Sequence, residues 1–146
     1  MQIREMTAND IDLTKLMVQN SINSISEKYY SKEVKEDWSS RISKRFLKEG
    51  IGELFVAVSD DTVLGCIRVE SNHVSSLHVD PSFQNKGIGT KLTKFAEELV
   101  KTKYNIITLN SSLNAIEFYT SLGYIQDELV VFEEIFPVMK MHKFFS

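Results

Sequence analysis

The chain has 146 residues and a mass of 16.8 kDa, which fits one domain over 1–146 with enough length to bury a core. Its 42% hydrophobic and 25% charged residues are ordinary globular values, and a net charge of −3 with both signs scattered leaves no basic footprint for nucleic acid or an anionic membrane. One cysteine, Cys66, excludes an internal disulfide framework, and with only three histidines beside it no metal site is expected.

No apolar run is long enough to cross a bilayer, and the opening residues Met1-Gln2-Ile3-Arg4-Glu5 carry no apolar signal region. The expectation is a cytoplasmic protein without a membrane partner. In chain order, residues 2–6 read as a short strand. Asn9 or Asp10 then offers an N-cap for a helix carrying Ile11, Leu13, Leu16, Met17 and Ile22. A second helix over 31–48 places Val34, Trp38, Ile42, Phe46 and Leu47 at helical spacing, closed by Gly50 and Gly52.

Three β-rich runs follow, 53–58, 63–70 and 74–79, separated by polar turns, and they predict an antiparallel meander. Asp80-Pro81 ends the third, because proline lacks the N–H a ladder needs. Ile88, Leu92, Phe95, Ala96, Leu99 and Val100 then mark one face of an amphipathic helix. Residues 104–109 read as a strand, 113–122 as a helix stopped by Gly123, and 124–135 and 138–144 as two closing strands. The pattern is mixed α/β, or α+β, with helices on both faces of a mostly antiparallel central sheet.

The turn into the amphipathic helix carries the strongest chemical signal. Gly87 and Gly89 sit where the first turn should be, at a helix-propensity cost of roughly 1 kcal/mol each. Close approach of a phosphate to unpaired N–H donors at a helix start is the compensating reason. The nucleotide P-loop spacing is absent. The dinucleotide fingerprint fails as well, with Leu92 where its third glycine belongs and Asn110 in the region of its acidic residue.

What remains, Gln84-x-x-Gly87-x-Gly89, resembles the Gln/Arg-x-x-Gly-x-Gly/Ala signature of the GCN5-related N-acetyltransferase (GNAT) superfamily, whose loop wraps the pyrophosphate of acetyl-coenzyme A. A second segment, Asn114-Ala115-x-x-Phe118-Tyr119-x-x-x-Gly123-Tyr124, is similar to that family's Asn-Ala-x-x-Phe-Tyr-x-x-x-Gly-Phe/Tyr segment. The ending Met139-Lys140-Met141-His142-Lys143 resembles its closing strand, so the resemblance covers nearly the whole chain. Residues 29–31 with Trp38 also resemble a bacterial subgroup of acetyltransferases in the superfamily.

The resemblance implies a parallel strand pair, 74–79 and 106–109, that splays to admit the pantetheine arm. It implies an acetyl-coenzyme A site formed by Leu77, His78, Val79, Gln84, Asn85, Lys86, Gly87, Ile88, Gly89, Thr90, Asn110, Asn114, Phe118 and Tyr119. Backbone groups of Leu77 and Val79 would bond the arm, and one of their amides would polarise the thioester carbonyl. Asn114 either caps its helix or meets the arm.

Tyr119 alone reads as core packing on an aromatic helix face. By resemblance it is the acid that protonates the departing thiolate, a task a phenol of pKa near 10 suits. For the base, His73 and Glu70 stand at the junction of two strands, with water as the alternative. His78, if strand register holds, alternates away from His73, Ser75 and Leu77. The acceptor, a small-molecule or peptide amine, is expected beside Asn23, Ser26, Tyr29, Tyr30 and Trp38. The resulting reading is an N-acetyltransferase using direct attack. A non-catalytic acyl-coenzyme A sensor, or a domain in which the loop is only a helix start, stays open, and the closing strands offer an edge for a homodimer.

Overall fold

The centre of the sheet is built by three apolar runs that turn back on one another through short polar turns. β2 (Leu54–Ser59), β3 (Thr62–Glu70) and β4 (His73–Val79) form an antiparallel meander. In its turns Asp60 and Ser71 adopt φ of 52° and 56°, a left-handed conformation that short polar side chains tolerate. The computed structural model describes residues 1–48, 53–132 and 134–146. The closing glycines expected at Gly50 and Gly52, and the side chains of Phe46 and Leu47, lie outside what is described.

β1 (Gln2–Glu5) pairs with β2. β5 (Ile106–Ser112), β6 (Ile125–Phe132) and β7 (Phe136–Phe144) extend the opposite side, in the order β1-β2-β3-β4-β5-β7-β6. Every neighbouring pair is antiparallel except β4 and β5. The architecture is therefore the mixed, mostly antiparallel one the element order implies.

Among the described residues four α-helices cover the two faces: α1 (Ile11–Asn23) and α2 (Lys32–Lys48) on one, α3 (Ile88–Val100) and α4 (Ile116–Ser121) on the other. Beneath α3 and α4, Ala57, Ile67, Val74, Ile107, Leu109 and Met141 pack against Ile88, Leu92, Ala96 and Val100. Beneath α1 and α2, Leu54, Val56 and Cys66 meet Met17, Val18, Ile22 and Ile42. Each fully buried aliphatic side chain such as Ile22 or Leu92 contributes about 1.5–3 kcal/mol.

The structure narrows two of the expected apolar faces. Leu13 and Leu16 of α1 and Leu99 of α3 are exposed. The stripe of α1 that meets the sheet is Thr14, Met17, Val18, Ser21 and Ile22, so a helical count of hydrophobics overstates the buried face. The start of α1 also differs from a simple cap. Asp10 ends a 3₁₀ turn (Ala8–Asp10) and reaches back, its carboxylate accepting the Thr7 N–H at 2.8 Å and two bonds from Arg4 at 2.7 and 3.1 Å. That contact ties β1 to α1.

Candidate functional site

The site begins where β4 ends. Asp80 accepts the Ser82 N–H at 2.8 Å and starts a 3₁₀ turn (Pro81–Phe83), after which Gln84 folds back to donate to the Val79 carbonyl at 3.3 Å. Asn85 and Gly87 are both left-handed, with φ of 63° and 83°. Gly87 is the N-cap of α3, and the first intrahelical bond runs from the Lys91 N–H to the Gly87 carbonyl at 3.0 Å. The N–H groups of Ile88, Gly89 and Thr90 come before that bond and have no partner within the helix.

The two glycines have different reasons. A Cβ on Gly87 would meet nothing within 4 Å, so its need is the positive φ. A Cβ on Gly89 would stand 3.3 Å from Cζ of Phe118 and 3.7 Å from Val79, so its need is close packing of α3 against α4 and β4. Lys86 is exposed with its ammonium 5.5 Å over the Phe83 ring, and it does not border the cleft described next.

β4 and β5 are in register at only two residue pairs, His73 with Thr108 and Val74 with Leu109. Beyond them the strands part, and a cleft of about 1080 Å³ opens between them toward the start of α3. Leu77, His78, Val79, Gln84, Asn85, Gly87, Ile88, Gly89, Thr90, Asn110, Asn114, Phe118 and Tyr119 all border it, as do Glu70, His73 and Trp38.

β4, where it borders this opening, carries a bulge against β3 that strand alternation does not anticipate. Glu70 pairs with His73 and Arg68 with Ser75, yet Cys66 pairs with His78, so β4 holds one residue more than β3 there. Ser76 absorbs it with φ of 62°. Because one extra residue flips every later side chain, His78 returns to the face of His73 and Ser75, contrary to the expected alternation. There its imidazole is buried 5.7 Å from the Trp38 ring, and burial lowers its pKa to about 4, which keeps it neutral. Among the described residues no group bonds its Nε2. His73, at the closed end of the cleft, keeps Nδ1 2.8 Å from the Thr108 hydroxyl.

On the opposite wall Tyr119 is buried in α4, edge-on to Phe118 at 5.0 Å and to Tyr124 at 5.6 Å. Burial raises its phenol above the ordinary value near 10. Its hydroxyl has no hydrogen-bond partner among the described residues, whereas the neighbouring Tyr124 donates to Glu97 at 2.7 Å and Lys143 holds the same carboxylate at 3.1 Å. Asn110 is half-buried on β5. Asn114 is exposed, and it caps neither helix, since Ser112 is the N-cap of a 3₁₀ turn (Leu113–Ala115) and Ala115 precedes α4.

At the α1–α2 end, the five expected acceptor residues separate, and Ser26, like Trp38, borders the cleft. Trp38 packs against Phe136, ring centroids 4.6 Å apart and planes tilted by 42°. Tyr30 is 2% exposed and acts as a strut: its hydroxyl donates to the Pro137 carbonyl at 2.6 Å and accepts the Leu113 N–H at 2.8 Å. Tyr29 is exposed under the Lys28 ammonium, and Asn23 is exposed, its carbonyl taking one bond from the buried Lys35. Neither Asn23, Tyr29 nor Tyr30 borders the cleft. Ser21, Ser24, Phe132 and Phe136 do, and sequence reasoning missed them. Ser21 and Ser24 stand three apart at the end of α1, a spacing that marks one helix face.

Among the described residues, no three His, Cys, Asp or Glu side chains gather as metal ligands, and no helix is long and apolar enough to cross a membrane. Compared with known proteins, residues 7–145 match the model of the acetyltransferase (GNAT) domain. An uncharacterized N-acetyltransferase of Methanocaldococcus jannaschii is 27% identical over 143 residues, 88% of this chain and 62% of that protein. The chain spans about half to two thirds of the length of the curated relatives it matches. A GCN5-related N-acetyltransferase structure from Rhodopseudomonas palustris superposes with a TM-score of 0.87 at 23% identity, covering 98% of this chain and 94% of that one. The PaiA N-acetyltransferase of Thermoplasma acidophilum, solved with coenzyme A, gives 0.74 at 20% identity, covering 99% and 98%. At those identities the structural likeness speaks for the fold.

Proposed function

Because the chain belongs to the acetyltransferase (GNAT) domain family, and so stands among the acyltransferases, we propose that it moves an acetyl group from acetyl-coenzyme A to a primary amine by direct attack. The observation that carries this reading is one continuous cleft. A parallel strand pair parts after two residue pairs, and the opening leads to a helix N-terminus whose first amides have no intrahelical partner.

The cradle suits a pyrophosphate. Left-handed Asn85 and Gly87 turn the backbone so that the amides of Ile88, Gly89 and Thr90 converge at the positive end of the α3 dipole. Lys86, outside the cleft, adds positive charge to the same turn. Further in, the edges that β4 and β5 expose as they part offer backbone groups at Leu77, Val79 and Asn110 to an extended pantetheine arm, with Asn114 beside it. Acetyl-coenzyme A supplies the acyl group as a thioester.

The bulge at Ser76 leaves β4 amides out of register with β3, and an amide there can polarise the thioester carbonyl. The amine nitrogen bonds to the carbonyl carbon as the carbon–sulfur bond breaks. Tyr119 gives its phenolic proton to the leaving sulfur and recovers one from solvent. The proton lost by nitrogen passes toward His73 or Glu70. His73 precedes Leu77 by four residues, roughly 13 Å along the strand, so water carries that proton rather than direct contact.

Calorimetric titration with acetyl-coenzyme A, with thiol release followed on the same sample, tests the reading. The expected result is saturable binding and release that depends on added amine. No binding at millimolar ligand overturns it. Binding without release across an amine panel favours the acyl-coenzyme A sensor instead.

A further inference from the structure

The acceptor end of the cleft has a composition that bears on which amine enters. Its wall is aromatic and continuous. Trp38 contacts Phe136 at 4.6 Å and His78 at 5.7 Å, with rings tilted by 42° and 49°. Behind them Tyr30 supports both Phe136, at 5.1 Å, and Trp38, at 5.7 Å, and is itself pinned by its two backbone hydrogen bonds. The rings present an apolar wall, tilted against one another, with the Trp38 indole and the Phe136 ring on the cleft.

Charge on the same wall is sparse. Among the described residues that border the cleft, Glu70 is the one carboxylate. The cation there, Arg41, holds Asp37 at 2.6 Å. In a second groove, which shares His73, Asn110 and Phe132 with the cleft, Asp127 is bonded to His142 at 2.8 Å. A polyamine or an aminoglycoside carries several ammonium groups and needs several carboxylates to repay their lost hydration. His78 adds a second uncharged surface near neutral pH, since its burial keeps the imidazole unprotonated.

Resting on the acetyl-transfer reading above, we propose that the acceptor subsite takes a primary amine carried on a flat, largely apolar body, an aryl- or heteroarylalkylamine, in preference to a polyamine. The ring lies against Trp38 and Phe136, and the amino group turns toward the parted edge of β4.

Trp38 is the chain's one tryptophan, so its fluorescence reports this subsite directly. In the wild-type protein loaded with coenzyme A, 4-nitrobenzylamine should quench that emission saturably, and spermidine should leave it unchanged. In thiol-release assays, 2-phenylethylamine should exceed spermidine in kcat/KM by roughly 2- to 12-fold, the size expected of one good aromatic contact. Trp38→Leu keeps an apolar side chain and removes the flat face. It should raise KM for phenylethylamine several-fold and narrow the advantage of phenylethylamine over spermidine in kcat/KM. Equal or better turnover of spermidine or an aminoglycoside, or no quenching at 10 mM nitrobenzylamine (roughly the weakest affinity worth the name), overturns the inference while leaving acetyl transfer intact. Failure to bind acetyl-coenzyme A at all removes both.

Discussion

Gly89 and Phe118 are fitted to each other: a Cβ at position 89 would come within 3.3 Å of the Phe118 ring. The ring lies beside Tyr119 and on the cleft, so pressure applied at Gly89 is felt at both. Gly89→Ala gains up to about 1 kcal/mol of helix propensity, against an overpacking cost of about 1–3 kcal/mol. The expected outcome is a small net loss of stability with a larger loss of acetyl-coenzyme A affinity. Phe118→Leu in the same chain should restore part of it. A double-mutant cycle measured by calorimetry and thermal melting checks this, and strict additivity would show that the two residues are not coupled.

Tyr119→Phe separates chemistry from packing. The phenol ring fills its place edge-on to Phe118 and Tyr124, while the hydroxyl bonds no described protein group, so its removal leaves the core intact. Turnover should fall by ~10²-fold, the ordinary size of a general-acid contribution, with the melting temperature and the dissociation constant for acetyl-coenzyme A nearly unchanged. A drop in melting temperature as large as the drop in rate would make Tyr119 a core residue and nothing more.

Tyr30→Phe should do the reverse. One hydroxyl there joins the Pro137 carbonyl at the start of β7 to the Leu113 N–H at the end of β5. Removing it leaves two backbone groups without that partner, at a cost of about 1–3 kcal/mol each if water does not replace it. Urea unfolding should show a lower midpoint with an unchanged slope. The rate should follow only as far as the Phe136 wall shifts.

The pair Tyr29 and Tyr30 marks where the sequence stops being legible. Adjacent tyrosines carry the same composition signal, yet one is a solvent-facing ring under Lys28 and the other a buried strut, a choice made by β7 and Leu113 far along the chain. The bulge at Ser76 is hidden for a related reason. A strand with one extra residue has the same letters as one without, so the face of His78 hangs on a register that composition does not give. The turn into α3 and the element order were readable because proline, glycine and helical spacing act locally. Gly89 was readable as a necessary glycine, but the packing half of its reason needed the Phe118 ring in place.

Asp10 makes a prediction about acid. Arg4 hydrogen bonds first, then those from Thr7, outweigh partial desolvation and hold its carboxyl at about 2, below an ordinary 3.8. A carboxylate with a depressed folded-state pKa binds fewer protons folded than unfolded between those values. Its stabilisation is therefore full above about pH 4 and is lost as pH falls through about 2. The contribution is no more than ~2 kcal/mol. Asp10→Asn gives up the Arg4 ion pair and should melt below wild type at pH 6. The gap should narrow between pH 4 and pH 2, as the wild-type carboxyl takes up its proton. Melting curves at half-unit steps of pH read this out, and a gap that stays constant to pH 2 would mean that the Arg4–Asp10 contact does not set the acid sensitivity of the β1–α1 corner.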